Sequence, residues 1–369
     1  MQEIGCSGHA DPARRSGAPV SAAAAAAMSI LFGFSGPVMF PRPAAVSCAA
    51  LLHRPASMRI DLVPDFFTVI QSVDPVAAYR RYFETYRRIL EPYWRNYVVD
   101  PESPHFADVV RGAVHADRHD LRAMLDRVDT AALVRETTAR CAALLEMDSE
   151  ADTIIMVGVG AANAGELVAG GHGMAFVCLE HFTGIANPGS RGLGLDPELI
   201  PLWLAHEIAH VVRYTSPTSR SCMRELVAEA GGDYSYWDTG HQAPLREHLV
   251  NEGLAVETAR AVSPGHADWE YFGYHRRQYS RIRELAPVIA RHVAPQLDAA
   301  GLGLRLRYLS GGTSENARRL DRIVIPERAG YYLGSRMVRN AIAERGFPWA
   351  IRASADALCA SGDAGAITA

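Results

Sequence analysis

The chain has 369 residues, enough for one large or two medium domains with an ample core. Its 49% hydrophobic and 21% charged fractions are ordinary for a globular protein. A formal net charge of −4 argues against nucleic acid or an anionic membrane as the main partner. The six cysteines show no CxxC or other regular spacing, which argues against a disulfide framework or a cysteine zinc site.

Residues 1–57 differ in composition from the rest of the chain. A basic start around Arg14 precedes an apolar stretch, and the small residues of Ala44–Ala50 resemble a cleavage site, as in a signal peptide. Glycines and prolines interrupt that apolar stretch, so a disordered leader and a true start at Met58 are competing interpretations. We predict no folded role for this leader and a cytoplasmic protein, with export as the alternative if residues 1–50 act as a signal peptide. No stretch is long and apolar enough for a confident transmembrane helix.

Residues 74–147 show helical patterns. Asp74-Pro75 is typical of a helix start, and the apolar residues that follow repeat every three or four positions. Pro92 is a position where this first helix is expected to kink or end. Asp129 marks a break between two later helices. We predict a helical N-terminal part that packs on the rest of the protein.

Two short apolar segments, Thr153–Val157 and Met174–Leu179, predict a small sheet. The glycine-rich passage Gly158–Gly173 between them lacks the third glycine of the dinucleotide fingerprint and the lysine of a Walker loop, which argues against phosphate binding. We predict that Met174–Leu179 is the edge strand, where an extended substrate can pair with the sheet.

The central motif is His-Glu-x-x-His at His206, Glu207 and His210. On a helix, the two histidines lie on one face, one turn apart, so that both imidazoles can bind one metal ion. Glu207 is about 100° further round the helix, where it can act as general base on a water whose pKa zinc has lowered towards 7. The motif therefore predicts metal-assisted hydrolysis, most often of a peptide bond.

The competing interpretation of this segment is an ordinary buried helix with two satisfied histidines. Asp196 and Pro197 supply a clean helix start. Burying two histidines and a carboxylate among residues such as Leu204 and Ile208 is costly unless something pairs with them, and a metal ion would do so. These features favour the zinc site.

A catalytic zinc usually has three protein ligands and one open position. The pattern that continues with a glycine and a third histidine fails here, because Arg213 and Ser216 occupy those positions. The other common arrangement takes a glutamate from a separate downstream helix, and Leu245–Arg260 fits this description. His248 in the same helix remains open as an alternative ligand. Gly253 costs helix stability, so we expect it to pack closely against the zinc helix.

His206-Glu207-x-x-His210 followed by Asn251-Glu252-Gly-Leu-Ala resembles the gluzincin class of zinc metallopeptidases. More narrowly, with the Gly-Tyr-Tyr-Leu-Gly segment at 330–334, it resembles the bacterial family of predicted zinc-dependent proteases of unknown function. The resemblance covers roughly residues 150–345. It implies that Glu252 is the third ligand of one zinc ion per chain, and that Tyr331 or Tyr332 hydrogen-bonds the oxyanion of the tetrahedral intermediate.

The chain departs from the thermolysin-like pattern, which places an aspartate four residues after the ligand glutamate. Val256 stands there and Glu257 follows, so the group that orients the zinc histidines stays open. Two other roles also stay open. Arg336 is a candidate for binding a substrate carboxylate or for a salt bridge, and the aromatic loop 233–242 either lines the substrate cleft or only packs.

We predict a mainly helical α+β, zincin-like domain at residues 58–352, with a small sheet beside the zinc helix and a flexible tail at 353–369. Within it, residues 74–147 form the helical part and residues 150–345 the catalytic part. The predicted activity is zinc-dependent hydrolysis of peptide or protein substrates. The alternatives are a catalytically silent metal-binding scaffold and a hydrolase of a non-peptide amide. Glu207 argues against the scaffold, because a structural zinc needs no base.

Overall fold

A computed structural model describes residues 58–361. Within these residues the fold is mainly helical, with one small mixed sheet and two short strand pairs, which confirms the predicted α+β class. The leader 1–57 and residues 362–369 lie outside the described residues, so the signal-peptide and cytoplasmic interpretations stay predictions.

The helices pack around a central bundle that carries the motifs. In chain order, the α-helices are α1 (Val63–Ile70), α2 (Pro75–Thr85), α3 (Arg87–Tyr97), α4 (Phe106–His115), α5 (His119–Leu125), α6 (Thr130–Leu145), α7 (Ile200–Thr215), α8 (Cys222–Glu229), α9 (Leu245–Val262), α10 (Arg276–Val293), α11 (Leu302–Leu309), α12 (Ala329–Arg345), α13 (Phe347–Ala350) and α14 (Ala355–Ser361).

The main sheet has four strands in the order β1-β2-β4-β3. Three strands run parallel, and β3 is antiparallel to β4. The strands are β1 (Arg59–Asp61), β2 (Ala151–Met156), β3 (Ala164–Ala169) and β4 (His172–Cys178), with the short pairs β5 (Ala186–Asn187) and β6 (Gly192–Leu193), and β7 (Arg319–Leu320) and β8 (Ile323–Val324).

The prediction that Met174–Leu179 is the edge strand is wrong. This segment belongs to β4, which lies inside the sheet between β2 and β3. The edge strands are β1 and β3, and β3 lies in the glycine-rich passage for which no strand was predicted. Gly170 and Gly171 have φ values of +58° and +75° and join β3 to β4 in a two-residue hairpin, a turn that favours glycine at both positions.

The N-terminal helices support the sheet. Asp74 caps α2 by accepting a hydrogen bond from the backbone of Ala77, as the helix-start pattern predicts. Pro92 does not end a helix, because α3 continues through it. The rings of Tyr93 and Tyr97 on α3 pack edge-on against Phe176 of β4, which seats this helical part on the sheet.

Helices α7, α9 and α12 pack one after another on one side of the sheet. The zinc-motif helix α7 is buried along nearly its whole length between the sheet and α9. A Cβ atom on Gly173 of β4 would lie 2.3 Å from Val211 of α7, so this glycine permits the close approach. Gly253 of α9 packs against Gly334 of α12 and not, as predicted, against the zinc helix.

The end of the described chain is ordered further than predicted. The segment 353–369 was expected to be a flexible tail, but its first part forms helix α14, in which Leu358 is fully buried. The packed part of the chain therefore extends beyond residue 352.

Candidate metal centre

The helix that carries the first motif begins as its sequence indicates. The Asp196 carboxylate accepts a hydrogen bond from the backbone of Glu198, and a short 3-10 turn leads into α7 at Ile200. In the middle of α7, His206 and His210 point from the same face, and their Nε2 atoms are 3.3 Å apart. The i, i+4 spacing thus brings the two imidazoles together.

Glu252 of α9 faces the same two nitrogens. Its Oε2 atom is 3.3 Å from Nε2 of His206 and 3.5 Å from Nε2 of His210. Four tetrahedral ligands at about 2.0–2.1 Å from zinc are separated from one another by about 3.3 Å. The three atoms therefore have the spacing of a zinc donor set. Among residues 58–361, no other group of three histidine, cysteine, aspartate or glutamate side chains converges this closely.

Burial and charge make the three groups interdependent. Burial lowers the pKa of His206. Burial also acts to lower the pKa of His210, but the adjacent Glu252 carboxylate outweighs it and the pKa is raised. Burial acts to raise the pKa of Glu252, yet the two histidines outweigh it and the pKa is lowered. An ionised carboxylate held against two imidazoles is a suitable site for a divalent cation.

Glu207 is buried on α7, near enough to Glu252 for the two carboxyl groups to interact. Burial and the nearby carboxylates of Glu166 and Glu252 raise its pKa well above the usual value, and it is hydrogen-bonded to Glu166. Glu166 in turn accepts a hydrogen bond of 2.8 Å from the Tyr97 hydroxyl. The sequence analysis missed Glu166. The signal was a single acidic residue in the apolar segment that forms β3.

The two candidate tyrosines lie in different surroundings. The ring of Tyr331 stacks on His206 with centroids 5.9 Å apart and planes inclined by 19°. Its pKa is raised well above the usual value, first by burial and then by Glu252, to which its hydroxyl is hydrogen-bonded. Tyr332 packs instead against Phe272, 5.8 Å between centroids. Tyr331 therefore adjoins the metal centre, and Tyr332 belongs to an aromatic cluster.

The alternative ligand His248 does not join the cluster. Its Nε2 atom bonds to the carbonyl oxygen of Gly240 at 2.6 Å. Burial and then the charge of Arg305 lower the pKa of His248 to about 3. This histidine is neutral and supports the loop before α9.

Glu257, a candidate to orient a zinc histidine, serves elsewhere. It accepts hydrogen bonds from Ser335 and Arg339 and so connects α9 to α12. The Nδ1 atoms of His206 and His210 are buried and have no hydrogen-bond partner among residues 58–361.

The aromatic loop 233–242 packs against Tyr214, which in turn contacts His210. The ring of Tyr234 packs on Tyr214 at 5.1 Å, and Tyr214 packs on His210 at 5.9 Å. The backbone N–H of Tyr234 also donates to the carbonyl oxygen of Val168 on the edge strand β3. These contacts show that the loop packs, and its lining of a substrate cleft stays a prediction.

Residues 234–357 match the sequence family described as "Predicted Zn-dependent protease (DUF2268)". This region is about a third of the chain. It includes Glu252, Tyr331 and Tyr332, whereas the His-Glu-x-x-His motif lies before it. The match supports the resemblance to a zinc protease family over this segment. No curated protein and no solved structure matches the chain.

Within residues 58–361, every helix is too short or too polar to cross a bilayer.

Proposed function

We propose that the protein is a zinc-dependent peptidase in which His206, His210 and Glu252 bind one zinc ion. The observation that carries this proposal is the triangle of two imidazole nitrogens and one carboxylate oxygen, with sides of 3.3, 3.3 and 3.5 Å. The family match, which covers Glu252 but not the His-Glu-x-x-His motif, supports the proposal.

The residues around the triangle suit peptide hydrolysis. Zinc in this position would polarise the scissile carbonyl and acidify the attacking water. A cation bound beside Glu207 would favour its ionised form, and that carboxylate would remove a proton from the water as the water oxygen attacks the carbonyl carbon. The same carboxyl group then gives the proton to the leaving amine as the C–N bond breaks. As negative charge develops on the carbonyl oxygen, the Tyr331 hydroxyl exchanges its hydrogen bond to Glu252 for one to that oxygen.

The exposure of the centre favours a catalytic over a structural role. The side chains of His206 and His210 are 3% and 5% exposed, but that of Glu252 is 17% exposed. Structural zinc sites are closed by four protein ligands, whereas catalytic sites keep a position open. Three candidate ligands, the partial exposure of Glu252 and the carboxyl group of Glu207 outside the ligand set together favour an enzyme over a silent scaffold.

The test is hydrolysis of peptides by the purified, zinc-loaded, full-length protein, with new termini identified by mass spectrometry. The matched control is Glu207→Gln, which keeps the size of the side chain and removes the base. We expect the variant to retain zinc and to lose at least about 10³-fold in kcat. Equal activity in wild type and variant would overturn the mechanism. Cleavage of amides other than peptide bonds would assign the site to the alternative hydrolase class.

A further inference from the structure

Arg305 of α11 is a buried cation that the proposed mechanism does not use. The residue is only 7% exposed. Its Nη1 donates to the carbonyl oxygen of Tyr236 and its Nη2 to the hydroxyl of Tyr234, both at 2.8 Å. Both acceptors are neutral. No aspartate or glutamate among residues 58–361 forms an ion pair with it, and a buried charge without an opposite charge is costly.

Arg305 is connected to the candidate ligand His210 through two tyrosine rings. The tyrosine that accepts its Nη2–H, Tyr234, packs on Tyr214, which packs on His210. The charge of Arg305 also contributes, after burial, to the lowered pKa of His248, one helical turn before Glu252. The charge of Arg305 also acts to lower the pKa of His210, so the guanidinium lies close enough to this candidate ligand to interact with it electrostatically.

Glycine at position 240 makes room for this guanidinium. A Cβ atom there would lie 1.8 Å from Nη1 of Arg305. The ring of Tyr236 lies 3.5 Å from the guanidinium on the other side. The loop thus contacts the Arg305 guanidinium on two sides and fixes its orientation.

The outer edge of β3 is already hydrogen-bonded beside the Tyr234–Arg305 contact. The Tyr234 N–H already occupies the Val168 carbonyl on the outer edge of β3. The backbone N–H of Glu166 on the same edge donates a hydrogen bond to the Tyr97 hydroxyl. An extended chain therefore cannot continue along β3 past these residues without displacing them. A peptide that ends beside these residues therefore fits better than one that continues along β3.

We propose that Arg305 binds the free C-terminal carboxylate of a peptide substrate, so that the protein releases residues from the C-terminal end of peptides. This inference rests on the proposed peptidase function and narrows its substrate class. A guanidinium pairs with a carboxylate through parallel, charge-assisted hydrogen bonds, and its Nε–H has no hydrogen-bond partner among residues 58–361. The Arg305 guanidinium would repel the positively charged N-terminus of a peptide.

The experiment uses two synthetic peptide libraries of the same random sequences, one with free C-terminal carboxylates and one with C-terminal amides. The zinc-loaded wild-type protein should cleave the acids with a kcat/KM at least about tenfold above that of the amides, chiefly through a lower KM. Arg305→Gln should abolish this preference, so that acids and amides are cleaved with equal kcat/KM. Arg305→Lys should restore part of it, because the charge returns without the planar donor pair.

Arg336→Gln is the matched control. Arg336 is a half-buried arginine of α12 that forms no ion pair within residues 58–361. This variant removes the same charge and should keep the preference for acids. If Arg336→Gln abolishes the preference and Arg305→Gln does not, the assignment of the carboxylate to Arg305 is overturned.

The remaining outcomes separate this inference from the proposed function. Equal cleavage of acids and amides by wild type, or an equal slowing of both by Arg305→Gln, would overturn the inference and leave the peptidase standing. If wild type cleaves neither library, the proposed function fails, and binding of both libraries to zinc-loaded Glu207→Gln decides the inference. If Glu207→Gln binds the acids selectively and the added substitution Arg305→Gln abolishes that binding, the inference is supported. If Glu207→Gln does not bind the acids selectively, the inference is overturned together with the proposed function.

Discussion

Gly253 of α9 and Gly334 of α12 touch backbone to backbone. A Cβ atom on Gly253 would lie 2.2 Å from the carbonyl carbon of Gly334, and one on Gly334 would lie 1.9 Å from the carbonyl oxygen of Leu249. This contact sets the distance between the two helices beside the metal centre. Glu252 adjoins the contact on α9, and Tyr331 lies one turn before it on α12. The glycine pair therefore brings Tyr331 to Glu252.

Replacing Gly334 with alanine should separate the two helices. The added methyl group meets backbone atoms that cannot rotate away, so we expect a loss of about 2 kcal/mol or more in the free energy of unfolding. The measurement is chemical denaturation. Gly112→Ala is the control, because Gly112 lies on an exposed face of α4 with nothing within 4 Å of its added Cβ. It should be neutral or stabilise by up to about 1 kcal/mol. Equal effects of the two substitutions would contradict the role of the contact.

Zinc content tests the three-ligand site directly. Elemental mass spectrometry after dialysis should find about one zinc ion per wild-type chain and far less in Glu252→Ala. Glu229→Ala, which removes an exposed glutamate of α8, should bind like wild type. Stoichiometric zinc in Glu252→Ala would assign the third ligand to another residue.

Metal removal should also change stability. Because zinc binds the folded ligand set, a free concentration about 1,000 times the Kd would add about 4 kcal/mol to the free energy of unfolding. We expect Tm to rise with zinc in wild type and to stay constant in His206→Ala. An equal rise in both proteins would mean that zinc stabilises the chain through other residues.

The two neighbouring tyrosines should differ sharply when each loses its hydroxyl. Tyr331→Phe keeps the ring stacked on His206 but removes the proposed donor to the carbonyl oxygen, so kcat should fall about 10²-fold with zinc retained. Tyr332→Phe should retain nearly full activity, because Tyr332 packs in the aromatic cluster. Steady-state kinetics and zinc content of both variants provide the comparison. If Tyr332→Phe is the slower enzyme, the assignment of Tyr331 is wrong.

Periodicity was sufficient to predict the parts of the site that depend on local geometry. The spacing of His206 and His210 requires one helical face, and Asp74 caps its helix because the N-cap interaction spans only three residues. The approach of Glu252 was predicted from resemblance alone, because nothing local in α9 indicates where this helix packs.

Features that depend on tertiary packing were missed. The segment of β3 has few β-branched residues, so its glycines suggested a loop, and both this edge strand and Glu166 escaped notice. Gly253 indicated a close contact, but the pattern could not identify the partner helix. Arg305 gave no signal, because its isolation from carboxylates follows only from the packing of α11 against the aromatic loop.

Acid should destabilise the fold through His248. Burial and the charge of Arg305 lower its pKa to about 3 from the ordinary 6.5, so the folded protein binds this proton later than the unfolded chain does. The stabilising effect is complete above pH 6.5 and is lost as the pH falls from 6.5 towards 3. Between pH 7.5 and 4.5 this linkage is worth about 2–3 kcal/mol. Denaturation with a chelator present should show wild type losing that much more stability than His248→Gln, whose side chain can still donate to Gly240. Parallel pH curves would mean that His248 is not held neutral by the fold.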